Sequence, residues 1–301
     1  MTKLRYIAEA AILYLFYGLC RILPPAWASN MGGFIARNIG PRLAASRKAM
    51  RNIALALPYK DAAQRDKIIH DMWDNLGRVA AEYPHLKTLG HERTKMIVDP
   101  AADKAVRRGE AVIFFSIHAS NWEMLSSALL GYFDRPVHAT YRAPNNPYSG
   151  KLINNARLFD PRTKAFPKAR ASGRKLMKAM KDKETLGMLI DQKYNEGIAV
   201  PFFGHEATTN PIHVQLAQKY GAHLIPVSNK RTGAARFEIT VHAPLELTDN
   251  NGNLLPVETI LNANHAMIEE WIKDDPGSWI WLHKRWPQKA FKGLKDEKNE
   301  Q

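Results

Sequence analysis

The residues best equipped for chemistry in this 301-residue chain stand together in Ser116-Ile117-His118-Ala119-Ser120-Asn121-Trp122-Glu123. They follow the apolar run Ala111 to Phe115 and precede Met124-Leu125-Ser126-Ser127-Ala128-Leu129-Leu130, a pattern of strand, tight turn and helix. Imidazole titrates near neutral pH, and a carboxylate in reach fixes its tautomer and stabilises its cation, so His118 with Glu123 suits general base work. On an unbroken helix the two side chains would stand about 140° apart at roughly 100° per residue, so they cooperate only if the chain bends between them. A strand-to-helix junction supplies that bend. The same residues have a purely structural reading, because Ser120 as N-cap with Glu123 at N3 is a capping box.

Four further segments accompany this one in order: Tyr141-Arg142-Ala143-Pro144-Asn145-Asn146-Pro147, Asp191-Gln192, Val200-Pro201-Phe202-Phe203-Gly204 with Thr208, and Trp281-Leu282-His283-Lys284-Arg285-Trp286. With them, the chain resembles the late acyltransferases of lipid A biosynthesis, the lauroyl and myristoyl transferases. His118 and Glu123 match the H-x4-D/E motif of the wider glycerolipid acyltransferase group in its glutamate form. The resemblance implies an O-acyltransferase in which His118 is the base, working directly on the acceptor hydroxyl without an acyl-enzyme, and Glu123 orients and charges it. It implies that Arg142 binds phosphate or the pantetheine arm, and that Asn121, Trp122, Asp191, Gln192, Phe203, Gly204 and Thr208 complete the substrate site. In that scheme Asp191 and Gln192 order the site by hydrogen bonds and Lys284-Arg285 meets headgroups or a carrier, while Pro201-Phe202-Phe203-Gly204, a turn beside aromatic bulk, fits either an acyl-chain wall or, as aromatic pairs more often do, the core.

The donor implied is acyl carrier protein, the acceptor a phosphorylated glycolipid of the lipid A precursor type, with neither cofactor nor metal. The implied place is the bacterial inner membrane, among its lipids, with the catalytic domain on the cytoplasmic face. A lysophospholipid, an ornithine lipid or a phosphatidylinositol mannoside is the alternative acceptor. A catalytically silent, basic membrane-binding protein on the same fold is the alternative of another class.

The elements around these segments agree with an α/β protein. From Ala111 onward, strands at Ala111–Ile117, Pro136–Tyr141, Leu186–Ile190, His223–Ser228 and Phe237–His242 alternate with helices at Trp122–Tyr132, Tyr148–Phe159, Ser172–Lys181 and Pro211–Tyr220. Such alternation predicts a mainly parallel central sheet flanked by helices. Reactive groups in such sheets gather at the carboxyl ends of strands. His118, Arg142, Asp191-Gln192 and Asn229-Lys230-Arg231 each follow a predicted strand, so they are expected at one rim. Upstream, Ala26–Asn38, Pro41–Leu57 and Asp61–Tyr83 read as helices, with Met31-Gly32-Gly33 and Gly40-Pro41 marking turns.

The division expected is a membrane-anchor helix over 1–25, an acyltransferase domain over 26–287 (helical to 95, α/β from 96) and a polar disordered tail over 288–301. Ala10 to Cys20 carries no charge, which is short against the ~20 residues of a membrane span. A tilted or interfacial anchor with Tyr14, Tyr17 and Trp27 at headgroup depth is therefore favoured over a clean crossing. Lys3 and Arg5 ahead of an apolar run, with Ala26-Trp27-Ala28 behind it, also allow a secretory signal.

Lys plus Arg outnumber Asp plus Glu by 43 to 29, a net charge of +14, so acidic partners are expected. The basic residues are scattered, without helix-turn-helix or zinc-finger spacing, so nucleic acid is not among them. The single cysteine, Cys20, excludes an intramolecular disulfide or a cysteine metal cluster. His205-Glu206-Ala207-Thr208-Thr209 lacks the second histidine of a zincin, and no G-x-S-x-G elbow, phosphate-binding P-loop or G-x-G-x-x-G occurs.

Overall fold

The computed structural model describes residues 2–141, 146–167 and 172–293. Its helical first part consists of α1 (Thr2–Ile22), α2 (Pro25–Ile39), α3 (Ala44–Ala56), α4 (Ala62–Glu82) and α5 (Leu86–Glu92). The α/β part follows as β1 (Thr94–Val98), α6 (Pro100–Arg107), β2 (Val112–Ser116), α7 (Leu125–Phe133), β3 (Val137–Tyr141), α8 (Pro147–Arg157), β4 (Ala165–Pro167), α9 (Ser172–Lys181) and β5 (Thr185–Leu189). It closes with β6 (Ile198–Phe202), β7 (His205–Thr209), α10 (Ile212–Tyr220), β8 (His223–Gly233), β9 (Arg236–Val241) and α11 (Val257–Asp274).

Seven of these strands form one sheet in the order β1-β9-β8-β2-β5-β3-β4. Its pairings are parallel except β8 with β9, which are antiparallel. β2 lies at the centre and is buried at every position, the signature of a strand covered on both faces. Its side chains alternate: Val112 and Phe114 enter the core beneath α7, whereas Ile113 and Phe115 enter the core beneath α9 and α10. The predicted α/β architecture with a mainly parallel sheet is therefore found.

Several expectations need correction. Met31-Gly32-Gly33 is no turn but lies inside α2. A Cβ at Gly32 would stand 2.3 Å from the carbonyl oxygen of Gly77 on α4, so glycine is required there for two helix backbones to touch. Asn229-Lys230-Arg231 lies within β8, which runs on to pair with β9, rather than beyond a strand end. Strands β1 and β4 and the β6–β7 hairpin were not anticipated, each being too short or too polar to alternate visibly. Gln288–Phe291, expected within the polar tail, forms a turn of 3-10 helix with Arg51 over the Phe291 ring.

No helix among the described residues is long and apolar enough to cross a membrane. One side of α1 packs against α8 and α2, and Cys20 is fully buried there, its thiol pushed up to about 11 by burial. The other side exposes Leu4, Ile12, Leu15, Leu19 and Ile22.

Candidate active site

β2 and β5 are neighbours in parallel register, so the residues just past their carboxyl ends share one rim. His118 follows β2 and Asp191 follows β5. The Asp191 carboxylate, wholly buried, accepts from the His118 backbone N–H (3.0 Å), from His118 Nδ1–H (2.8 Å) and from Trp279 Nε1–H (2.7 Å). Burial alone would raise the Asp191 carboxyl, but its charge interaction and hydrogen bonds with His118, and that with Trp279, together hold it well below the usual carboxylate range. An ionised Asp191 fixes the proton of His118 on Nδ1 and leaves Nε2 as the acceptor.

The chain bends where the sequence predicts, but by different means. Ser120 takes a left-handed φ of 52°, unusual for a residue with a side chain. Its backbone is clamped, N–H to Ser278 O at 3.1 Å and carbonyl to Asn75 Nδ2 at 3.0 Å. Ser120 is not the cap: Asn121 Oδ1 receives the Glu123 N–H, and the turn Trp122–Met124 is 3-10 before α7 begins.

The expected pairing of Glu123 with His118 is replaced by another. Glu123 receives two hydrogen bonds from Arg157, both 2.6 Å, and one from Trp122 Nε1 at 2.9 Å. Arg157 also donates to Tyr83 OH at 3.1 Å, and the Glu123 hydrogen bonds and charge, outweighing its desolvation, lift Arg157 above its ordinary value. With both oxygens so engaged, Glu123 braces Arg157, and Asp191 takes the orienting role beside His118.

His118, Glu123, Arg157, Gln192 and His283 all face one cavity of about 330 Å³. Much of its lining is apolar, drawn from Phe114, Leu125, Leu129, Val137, Ala139, Met188 and Val227. The His118 and Trp122 rings, both lining it, stand 5.4 Å apart, and Gln192 Nε2 lies 3.1 Å from both His118 Nε2 and His283 Nε2. A base opening on an apolar slot suits attack by a hydroxyl on an activated acyl carbon.

The other anticipated site residues are distributed differently. Arg142 lies outside the described residues. Asn121 is fully buried, donates to Glu82 Oε2 at 2.7 Å and supports the loop from behind. Phe203 and Gly204 form the two-residue turn of the β6–β7 hairpin, both with positive φ, and Thr208 sits on β7; none lines the cavity. Phe203 instead packs among Phe202, Trp281 and Trp286, so this aromatic bulk is core rather than acyl wall. Arg285 does not reach outward either: wholly buried, it donates to Thr208 O and Thr209 Oγ1, both at 2.8 Å, beneath the Phe202 ring. Desolvation lowers it to about 10.

Arg157, Tyr83 and Trp279 were not singled out as site residues. Arg157 in the last turn of α8 reads in sequence as an ordinary complement to the helix dipole. Trp279 shows itself only once the C-terminal segment is seen beside the loop. Among the described residues no group of three or more His, Cys, Asp or Glu is placed to hold a metal.

The sequence model of the family described as bacterial lipid A biosynthesis acyltransferase matches residues 1–288. The chain belongs to this family. Similar curated members of it are the lipid A biosynthesis palmitoleoyltransferase of Escherichia coli and the lipid A biosynthesis acyltransferase of Shigella flexneri. Each is 26% identical over 248 residues, covering 79% of this chain and 77% of its own. Among solved structures, the 1-acyl-sn-glycerophosphate acyltransferase of Thermotoga maritima matches with a TM-score of 0.35 and 13% identity, over 79% of this chain and 98% of its own. In this member of the family, His118 is held by an aspartate that follows the neighbouring strand.

Proposed function

We propose that this acyltransferase moves a fatty acyl group from acyl carrier protein to a hydroxyl of a lipid A precursor. The observation that carries the reading is the His118 Nε2 acceptor, with ionised Asp191 behind it, opening on an apolar cavity. His118 Nε2 takes the hydroxyl proton as the oxygen attacks the thioester carbonyl. The tetrahedral oxyanion collapses, the C–S bond breaks, and His118 returns the proton to the thiolate. The acyl chain lies along Leu125, Leu129 and Val137. The net charge of +14 favours an acidic carrier and a phosphorylated acceptor alike.

The protein meets the inner membrane through the exposed faces of α1 and α2 rather than by a span. Ile12, Leu15, Leu19 and Ile22 recur at helical spacing, and Trp27, Phe34, Ile35 and Ile39 extend the apolar surface on α2. An interfacial helix with Arg5 and Arg21 at headgroup level fits that pattern. The reading rests on the family relation and on the chemistry of the cavity.

The test is transfer by purified protein from acyl-carrier donor to a lipid A precursor, followed by mass spectrometry of the product. Wild-type protein is expected to acylate the precursor, and His118→Ala to lose at least about a hundredfold, since one general base contributes about 10²–10⁴. Undiminished turnover in His118→Ala, or transfer to lysophospholipid alone, refutes it. Binding to phosphatidylglycerol vesicles, weakened in Leu15→Glu/Trp27→Glu, tests the attachment.

A further inference from the structure

The amide of Gln192 sits where an acceptor hydroxyl must arrive. Its nitrogen lies 3.1 Å from His118 Nε2 and 3.1 Å from His283 Nε2. The orientation of the amide follows from the charge behind it. Asp191 is ionised and draws the Nδ1 proton, so Nε2 of His118 is a bare lone pair and only an N–H can face it favourably. The carboxamide has two such hydrogens, one for each imidazole.

The partners are fixed relative to one another. Ile280 N–H donates to His118 O at 3.2 Å, and Asn52 Nδ2 donates to His283 O at 2.7 Å, so the segment bearing His283 is pinned along the loop bearing the base. The His118 and His283 rings stand 5.7 Å apart, and both line the cavity with Gln192.

We infer that Gln192 is a catalytic donor: its amide covers the His118 base at rest and turns to the thioester oxygen during transfer, with His283 as the residue that positions it. This rests on the acyl-transfer reading above. A hydroxyl reaching Nε2 displaces one Gln192 N–H. As the C–O bond forms, the carbonyl electron pair moves onto oxygen, and the freed N–H is the donor beside it. When the C–S bond breaks, the pair returns to the carbonyl, the proton passes from His118 to sulfur, and Gln192 resumes its place. The bond to His283 makes the motion a pivot about one anchored hydrogen.

Gln192→Met keeps the length of the side chain and removes the donor. It is expected to lower kcat by about 10²–10³, the usual cost of one oxyanion donor, with KM for the acyl-carrier donor within about threefold. His283→Asn is expected to lower kcat about tenfold, again without a KM change. A substrate-free arm uses diethyl pyrocarbonate: His118 is expected to be modified faster in Gln192→Met than in wild type, because no N–H engages the Nε2 lone pair. Unfolding midpoints of both variants close to wild type exclude a merely structural loss, and Gln192→Leu stands in if Gln192→Met is unstable. Retention of kcat within threefold, a loss confined to KM, or an unchanged modification rate overturns the inference. If wild-type protein fails to acylate the precursor, the acyl-transfer reading falls instead, and the modification rates still decide whether Gln192 guards the base.

Discussion

Replacing Asp191 by asparagine changes one atom's protonation pattern and inverts a network. The carboxylate accepts three hydrogen bonds, two of them on Oδ2 from His118 N–H and Trp279 Nε1–H. An asparagine with its oxygen at that position keeps both, and its NH2 then faces His118 Nδ1. The imidazole answers by moving its proton to Nε2, where no base remains. With the amide turned the other way, NH2 meets two donors. The satisfied arrangement is therefore the inactive tautomer. In the serine protease triad the same exchange costs about 10⁴, which sets the scale. A fall of about 10³–10⁴ in kcat/KM is expected, or about 4–5.5 kcal/mol at 1.36 kcal/mol per decade. The assay is single-turnover transfer from acyl-carrier donor, with thermal unfolding measured in parallel because buried Arg285 loses a nearby negative charge. Activity within tenfold of wild type in a folded Asp191→Asn, beside an inert His118→Ala, would refute the assignment of Asp191 as the orienting group.

Glu123 and Arg157 act as one unit at the cavity wall, so Glu123→Gln and Arg157→Met are expected to reduce activity to similar extents and the double variant no further. Additive losses in that cycle would separate them. Removing the Glu82 carboxylate as Glu82→Ala strands Arg231, whose Nη2 stands 3.0 Å from it, and takes a partner from Asn121. A loss of about 3–5 kcal/mol in urea unfolding is expected, and one below about 1 kcal/mol would contradict it. Acid should weaken the fold earlier than carboxylate titration alone. Burial chiefly depresses His213 to about 3 and His265 to about 4. Both stay neutral in the folded chain while the unfolded chain protonates them below about 6.5, so stability is complete above that pH and falls as pH drops toward 4. Each group costs about 1.4 kcal/mol per pH unit, roughly 4 kcal/mol for the two at pH 5. Denaturation curves at pH 7.5 and 5 that coincide would refute this.

Much of the architecture was legible because it is written in period and length. β2, β3, β5 and β9 are apolar or alternating runs with helices between them, and a mainly parallel sheet follows from that pattern. The rim position of His118 and Asp191-Gln192 came with it. Partner choice within the rim was not legible. Glu123 is five residues from His118 and Asp191 seventy-three, and only the adjacency of β2 and β5 makes the distant carboxylate the nearer one. Gly32 and Phe203 show the same limit from another side. A glycine pair inside a helix resembles a turn until Gly77 is seen against it, and an aromatic beside glycine resembles a pocket wall until it is seen packed on Phe202, Trp281 and Trp286.

The loop that carries His118 is finished by residues translated long after it. Ser278 and Ile280 supply its backbone partners, and Trp279 supplies one of the hydrogens that keep Asp191 charged. Contacts so remote in sequence close late, since the intervening chain must first surrender its freedom. Chemistry in this protein is thus an outcome of complete folding: a nascent chain holds its histidine early but gains a competent base only when the last tryptophans dock.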